Sequence, residues 1–125
     1  MWWKTVMSST SDSTSELCWL VRDGRVLASL EIPASRQAKA RGLLGRTGIK
    51  GAMLIRSTRS VHTIGMKFDL DVAVLDNDNI VVKTLHMRRN RMSAPLWRAN
   101  SIIEAEAGSF GSWGLRIGDE LEIRE

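Results

Sequence analysis

Leu70-Asp71-Val72-Ala73-Val74-Leu75, then Asp76-Asn77-Asp78-Asn79, then Ile80-Val81-Val82, is the stretch that decides the fold. Two apolar runs rich in β-branched residues flank a cluster of turn-forming Asp and Asn, which is the pattern of a β-hairpin. Neither run alternates strictly with polar residues, so this hairpin is predicted to be buried on both faces at the centre of the core. Asp71 is the exception inside the first run. An unpaired carboxylate between Leu70 and Val72 would be costly, so Asp71 is expected to accept hydrogen bonds from backbone or from a basic side chain.

Working outward toward the N-terminus, residues 61–68 mix β-branched and apolar side chains around Gly65, which reads as a strand with a bulge. Residues 52–55 read as a buried strand. Residues 34–44 are rich in helix formers, with Pro33 before them, Ser35 as a candidate N-cap and Gly45 suited to the left-handed position after a helix. Farther back, Asp23-Gly24 between two apolar runs predicts a hairpin with strands near 17–22 and 25–32. Toward the C-terminus, residues 86–100 are polar and basic and read as an irregular loop. Residues 101–107 read as a strand that puts Glu104 and Glu106 on one face. Glycines 108, 111, 114 and 118 mark a turn-rich segment, and Leu121 and Ile123 alternate with charged residues as a terminal strand. The polar run at 8–16 sets residues 1–16 apart as a disordered leader and 17–125 as a single domain. The expected fold class is mainly β: a compact antiparallel β-sandwich or barrel with one α-helix packed against it.

Composition narrows the function classes. Hydrophobic residues at 43% of 125 are enough for a real core. No stretch approaches the roughly 20 apolar residues that span a bilayer, so no membrane insertion is expected. The apolar run in residues 1–7 is too short for a secretory signal, so a cytoplasmic location is the expectation. Cys18 is the single cysteine and reads as a small core residue. With two histidines and one cysteine, no zinc pattern exists. Asp76-Asn77-Asp78 lacks the later glycine and glutamate of a calcium loop. No metal and no cofactor are expected.

The net charge is +4. Most of the basic residues fall in two windows without acids. Arg36, Lys39, Arg41, Arg46, Lys50, Arg56, Arg59 and Lys67 lie between Glu31 and Asp69; Lys83, Arg88, Arg89, Arg91 and Arg98 lie between Asp78 and Glu104. Such segregation suggests an anionic partner, unless the fold interleaves the windows with acidic segments. Arg41 and Arg46 flank the expected helix end and could jointly hold a carboxylate or phosphate. Arg88, Arg89 and Arg91, with Trp97 and Arg98, could grip phosphates and stack on a base. His62 and Asp71 could serve as a base and its orienter, but nine residues of straight strand would set them roughly 30 Å apart at ~3.3 Å per residue.

The order of these motifs resembles an uncharacterised prokaryotic family, domain-of-unknown-function family 192. The resemblance is carried by Arg41-Gly42-Leu43-Leu44-Gly45-Arg46, Gly51-Ala52-Met53-Leu54, the run from His62 to Asp71, and Gly114-Leu115-Arg116-Ile117-Gly118-Asp119. It spans about residues 36 to 123. Met66, Lys67, Leu70 and Asp71 keep the family pattern, whereas Gly65 stands in place of an aromatic, Phe68 in place of Asn and Asp69 in place of Pro. Many family members carry a secretion or lipoprotein leader, and residues 1–7 do not read as one. The resemblance implies a compact β-rich sandwich or barrel with one helix and implies no agreed reaction. Arg41, Arg46, His62 and Asp71 match its polar motif positions.

Without a nucleophile constellation, the sequence points to a non-enzymatic binding or accessory domain. Its small polar cleft would take an anionic ligand or peptide through Arg41, Arg46, His62, Lys67 and Asp71. One alternative is a nucleic-acid-associated protein using the basic loop at 86–98. Another is a hydrolase-like enzyme using His62 and Asp71.

Overall fold

The structure, a computed structural model, describes residues 15–125. The expected leader at residues 1–16 falls outside them except for Ser15 and Glu16, which belong to the first strand. Seven strands and two short helices follow one another: β1 (Ser15–Arg22), β2 (Arg25–Pro33), α1 (Arg36–Arg41), β3 (Ala52–Arg56), β4 (Leu70–Leu75), β5 (Val81–Met87), β6 (Ser101–Glu106), α2 (Ser109–Trp113) and β7 (Glu122–Arg124).

All strands join one sheet in the order β5-β4-β6-β3-β2-β1-β7. The fold is mainly β, but the sheet is mixed: β2 and β3 run parallel, with Leu30 opposite Ala52 and Glu31 opposite Met53. The chain between them, through α1, crosses over instead of turning back, and a parallel pair requires such a crossover. A bridge between Ile80 and Glu120 draws the two sheet edges together. The sheet thus curls toward a barrel without closing.

The local chemistry behaves as the residues dictate. Asp23 and Gly24 take φ 52° and 77°, so the first hairpin turns through two left-handed residues, as Asp-Gly favours. In the second, Asp76 accepts hydrogen bonds on its side chain from the Asp78 and Ile80 amides at 2.9 and 3.0 Å. Every residue of β4 is buried. β5 runs five residues beyond the expected Val82, to Met87.

Side chains of alternating parity divide into two cores. One, containing Leu20, Leu30, Leu54, Leu75, Ile103 and Phe110, fills the inside of the curl. Cys18 is buried there. The other, containing Leu43, Met53, Ile55, Leu70, Val72 and Ile102, lies on the opposite face. What covers that second face differs from expectation. Residues 61–68 are not a strand of the sheet. Thr63 donates its backbone N–H to Arg91 at 2.7 Å and its carbonyl accepts from Asn90 at 2.9 Å. Its hydroxyl, on a fully buried residue, donates to the Arg88 carbonyl and accepts from the Arg91 amide. The segment pairs with the basic loop, not with the sheet, and Gly65 is a turn at φ 78°.

The helix is shorter than expected, six residues against the 34–44 of the sequence reading. Ser35 caps it as predicted, its hydroxyl accepting from the Ala38 amide at 3.0 Å. It ends at Gly42, not Gly45, because Gly42 takes φ 52° and ψ −125°, which side-chain-bearing residues rarely adopt. The second helix, α2, lies in what reads from sequence as turns. Its first amides are held from elsewhere in the chain, which no local pattern records.

Candidate functional site

A cleft of about 310 Å³ lies between the end of α1, the 57–66 segment and the second face of the sheet. Its polar lining is Lys39, Arg41, Thr58, Ser60, His62 and Glu104. Its apolar lining is Leu43, Leu44, Ile55, Val61, Met66 and Leu70. The α1–Gly42 turn supplies the cations, since the helix ends where Gly42 redirects the chain. The 57–66 segment supplies His62, whose strand-like bridge to Met92 fixes its place on the rim.

Glu104 forms the floor. It sits on β6, opposite Met53 of β3 and Val72 of β4, near the middle of the sheet. It is 6% exposed. Gly42 lies above its carboxyl: a methyl group at position 42 would come 3.7 Å from Glu104 Oε1. Among the described residues the Glu104 carboxyl makes no hydrogen bond and no ion pair. Burial pushes its pKa up from 4.5 to about 7, because the charged form loses hydration. Sequence reading places Glu104 and Glu106 on one face without marking either as a site residue. The signal that could have found it is an acid inside an apolar run, Ile102-Ile103-Glu104-Ala105, the same signal that marks Asp71.

The residues expected to form one site are divided. Arg41 and His62 line the cleft. Arg46 does not; it is bound to Glu31 at 2.7 Å. Lys67 is exposed and outside the lining. Asp71 is on the other face of the sheet, as its place between Leu70 and Val72, which face the cleft side, requires. There one carboxylate oxygen accepts from the Gly108 and Phe110 amides at 2.9 and 3.1 Å. The other is 3.3 Å from Nδ1 of His86. Asp71 therefore caps α2 and is paired with the other histidine. His62 and Asp71, on opposite faces, form no catalytic pair, and the hydrolase-like arrangement is not present. Lys39 and Glu104 take the places that the expected set left unfilled.

The basic loop has its own groove of about 590 Å³, lined by Lys83, Leu85, His86, Arg88, Arg91 and Met92 among others. Arg89 is turned to Asp69, which accepts from its backbone amide at 2.9 Å and lies 3.5 Å from its guanidinium. Trp97 is 77% exposed and, with Arg98, lies outside the groove. Among the described residues no group of His, Cys, Asp and Glu could hold a metal ion. Nor is any helix among them long and apolar enough to cross a membrane.

The model of domain-of-unknown-function family 192, described as "Uncharacterized ACR", matches residues 19–123, which reaches back into β1. A solved structure from Sinorhizobium meliloti 1021, provisionally described as a transcription regulator, is similar with a TM-score of 0.72 and 19% identity, over 88% of this chain and 95% of that one. Another, a protein of unknown function from Novosphingobium aromaticivorans DSM 12444, is similar with a TM-score of 0.65 and 15% identity, over 86% of this chain and 84% of that one. At these identities the likeness is one of fold. No curated protein matches the sequence.

Proposed function

We propose that this chain, which belongs to domain-of-unknown-function family 192, is a non-enzymatic binding domain whose cleft takes a small anionic ligand on Lys39 and Arg41. The observation that carries this reading is that both cations line a largely apolar cleft while neither has a carboxylate partner among the described residues. By contrast, Arg22 with Asp119 and Arg46 with Glu31 are neutralised locally. A cation beside a low-dielectric wall attracts an anion more strongly than one in open solvent. The apolar lining favours an anion with a hydrocarbon part, and a few polar groups in an apolar pocket are the usual composition of a small-molecule site.

The test is titration with 4-methylpentanoate and with inorganic phosphate, followed by amide chemical shifts. Saturable shifts at Gly42, Leu43 and His62, abolished in Lys39→Ala/Arg41→Ala, are expected. Shifts that are absent, or unchanged in the double variant, would refute the reading.

A second reading is supported by the groove at the basic loop, where Lys83, Arg88 and Arg91 gather without an acidic residue in the lining. It is a nucleic-acid-associated role through backbone phosphates.

A further inference from the structure

We infer that the cleft's ligand is a small zwitterion with an apolar side chain, an amino acid or dipeptide, whose ammonium group seats on Glu104 and whose carboxylate seats on Lys39 and Arg41. This deepens the binding reading above and rests on it.

Two carboxylates in the one sheet are buried. Asp71 and Glu104 are 8% and 6% exposed. Asp71 has two backbone amides and a histidine around it. Glu104 has no partner among the described residues, and the space beside it is the cleft. No side-chain oxygen sealed from solvent lacks a partner among the described residues, so the unpartnered Glu104 carboxyl opens into the cleft, where a donor that arrives with the ligand can reach it. An ammonium group brings three donors and the opposite charge, and charge-assisted hydrogen bonds are the strong ones. The same cleft presents Lys39 and Arg41, which demand an anion. An anion alone would leave Glu104 bare, and an amine alone would leave the cations bare. A molecule carrying both groups satisfies both. Leu43, Leu44, Ile55, Met66 and Leu70 supply the apolar wall for its side chain.

Protonation bears on the outcome. The raised pKa of Glu104 means that an ammonium ligand must draw the carboxyl into its charged form, so its binding strengthens as pH rises through about 7. The groups facing Glu104 are Lys39 and Arg41 from α1, His62 from the 57–66 segment, and Glu106 two residues along its own strand face. The pH comparison is made in a His62→Gln background, so that Glu104 is the group it reads.

The experiment compares four probes by calorimetry and chemical shift on the full chain: leucine, leucyl-leucine, 4-methylpentanoate (leucine without its ammonium) and 3-methylbutylamine (leucine without its carboxylate). At least one zwitterion is expected to bind about tenfold or more tighter than either single-charge probe. Glu104→Gln should cancel that advantage while sparing 4-methylpentanoate, and the pH dependence of leucine binding should flatten in the same variant. If 4-methylpentanoate binds as tightly as the zwitterions, the zwitterion assignment falls and the anion reading stands. If 3-methylbutylamine binds as tightly, the role of the cations falls. If no probe binds, both readings fall. The probe series is decided on the wild-type protein, so it does not depend on how well the Gln variant folds.

Discussion

Glu104 shows how a single side chain can set stability and site chemistry together. Its pKa is about 7 in the fold against 4.5 as a free side chain. The folded state therefore holds a proton that the unfolded chain has released, and stability falls as pH rises between those values. The loss is complete above about 7 and absent below 4.5, and it amounts to about 3 kcal/mol at 1.36 kcal/mol for each pKa unit. Glu104→Gln, nearly isosteric with the protonated acid, should thus raise unfolding free energy by about 2–3 kcal/mol at pH 8 and leave it unchanged at pH 4. Denaturant titrations at the two pH values check this, and parallel curves for the two proteins would contradict it. The sequence makes one half of this legible, since alternation puts Glu104 and Glu106 on one face. Which of them is buried depends on the strand order, which places the middle of β6 beneath Gly42 and leaves Glu106 exposed.

The β4–β5 hairpin is readable from sequence because continuous apolar composition and turn chemistry agree there. The 61–68 segment is not, because its β-branched residues, Val61, Thr63 and Ile64, serve a different partner: Thr63 is spent on the basic loop, and Met66 packs under the cleft. α2 is invisible in the sequence because what holds its first amides is Asp71, on a strand far away along the chain. Asp71→Ala should therefore loosen α2 and cost about 1–3 kcal/mol, as for donors left unsatisfied in the interior. The denaturant midpoint would report the cost, and Trp113 fluorescence would report the loosening, because that ring lies 5.5 Å from Phe110. An unchanged midpoint would mean that water replaces the carboxylate at no cost. The parallel β2–β3 pair makes its own demand at Gly51. A Cβ there would collide with the hydroxyl and backbone carbonyl of Ser29, at a backbone φ of 83°. Gly51→Ala should cost about 2 kcal/mol or more, since a backbone carbonyl cannot swing aside as a side chain can. A thermal midpoint within error of wild type would show that β2 shifts freely.

At the scale of the molecule, parts of the two acid-free windows of the sequence come together, although Arg46 and Arg89 are paired with acids. The 57–68 segment and the 88–93 loop are tied through Thr63, Asn90 and Ser93, so both lie over the same face of the sheet. That joining rests on hydrogen bonds between segments distant in sequence, and composition alone could not separate it from the interleaved arrangement. If the resulting basic surface grips a polyanion, the free cations carry the binding. Arg88 and Arg91 line the groove, whereas Arg89 is partly neutralised by Asp69. Replacing Arg88 and Arg91 with Ala should weaken binding to all sequences alike. It should also flatten the salt slope by ~0.7 for each phosphate no longer neutralised on a single strand, or ~0.9 on duplex DNA. Adding Arg89→Ala should change little more. Folding should barely respond, because exposed arginines contribute little to stability. Fluorescence anisotropy of a labelled oligonucleotide at several salt concentrations makes the comparison. The expected result is weak binding at low salt without sequence preference, since only charge and the exposed Trp97 are offered to the strand. No binding by the wild type at low salt would remove the nucleic-acid reading. Equal binding by the double variant would move the strand to the cations around the cleft, Lys39 and Arg41, where 4-methylpentanoate should then compete with the oligonucleotide.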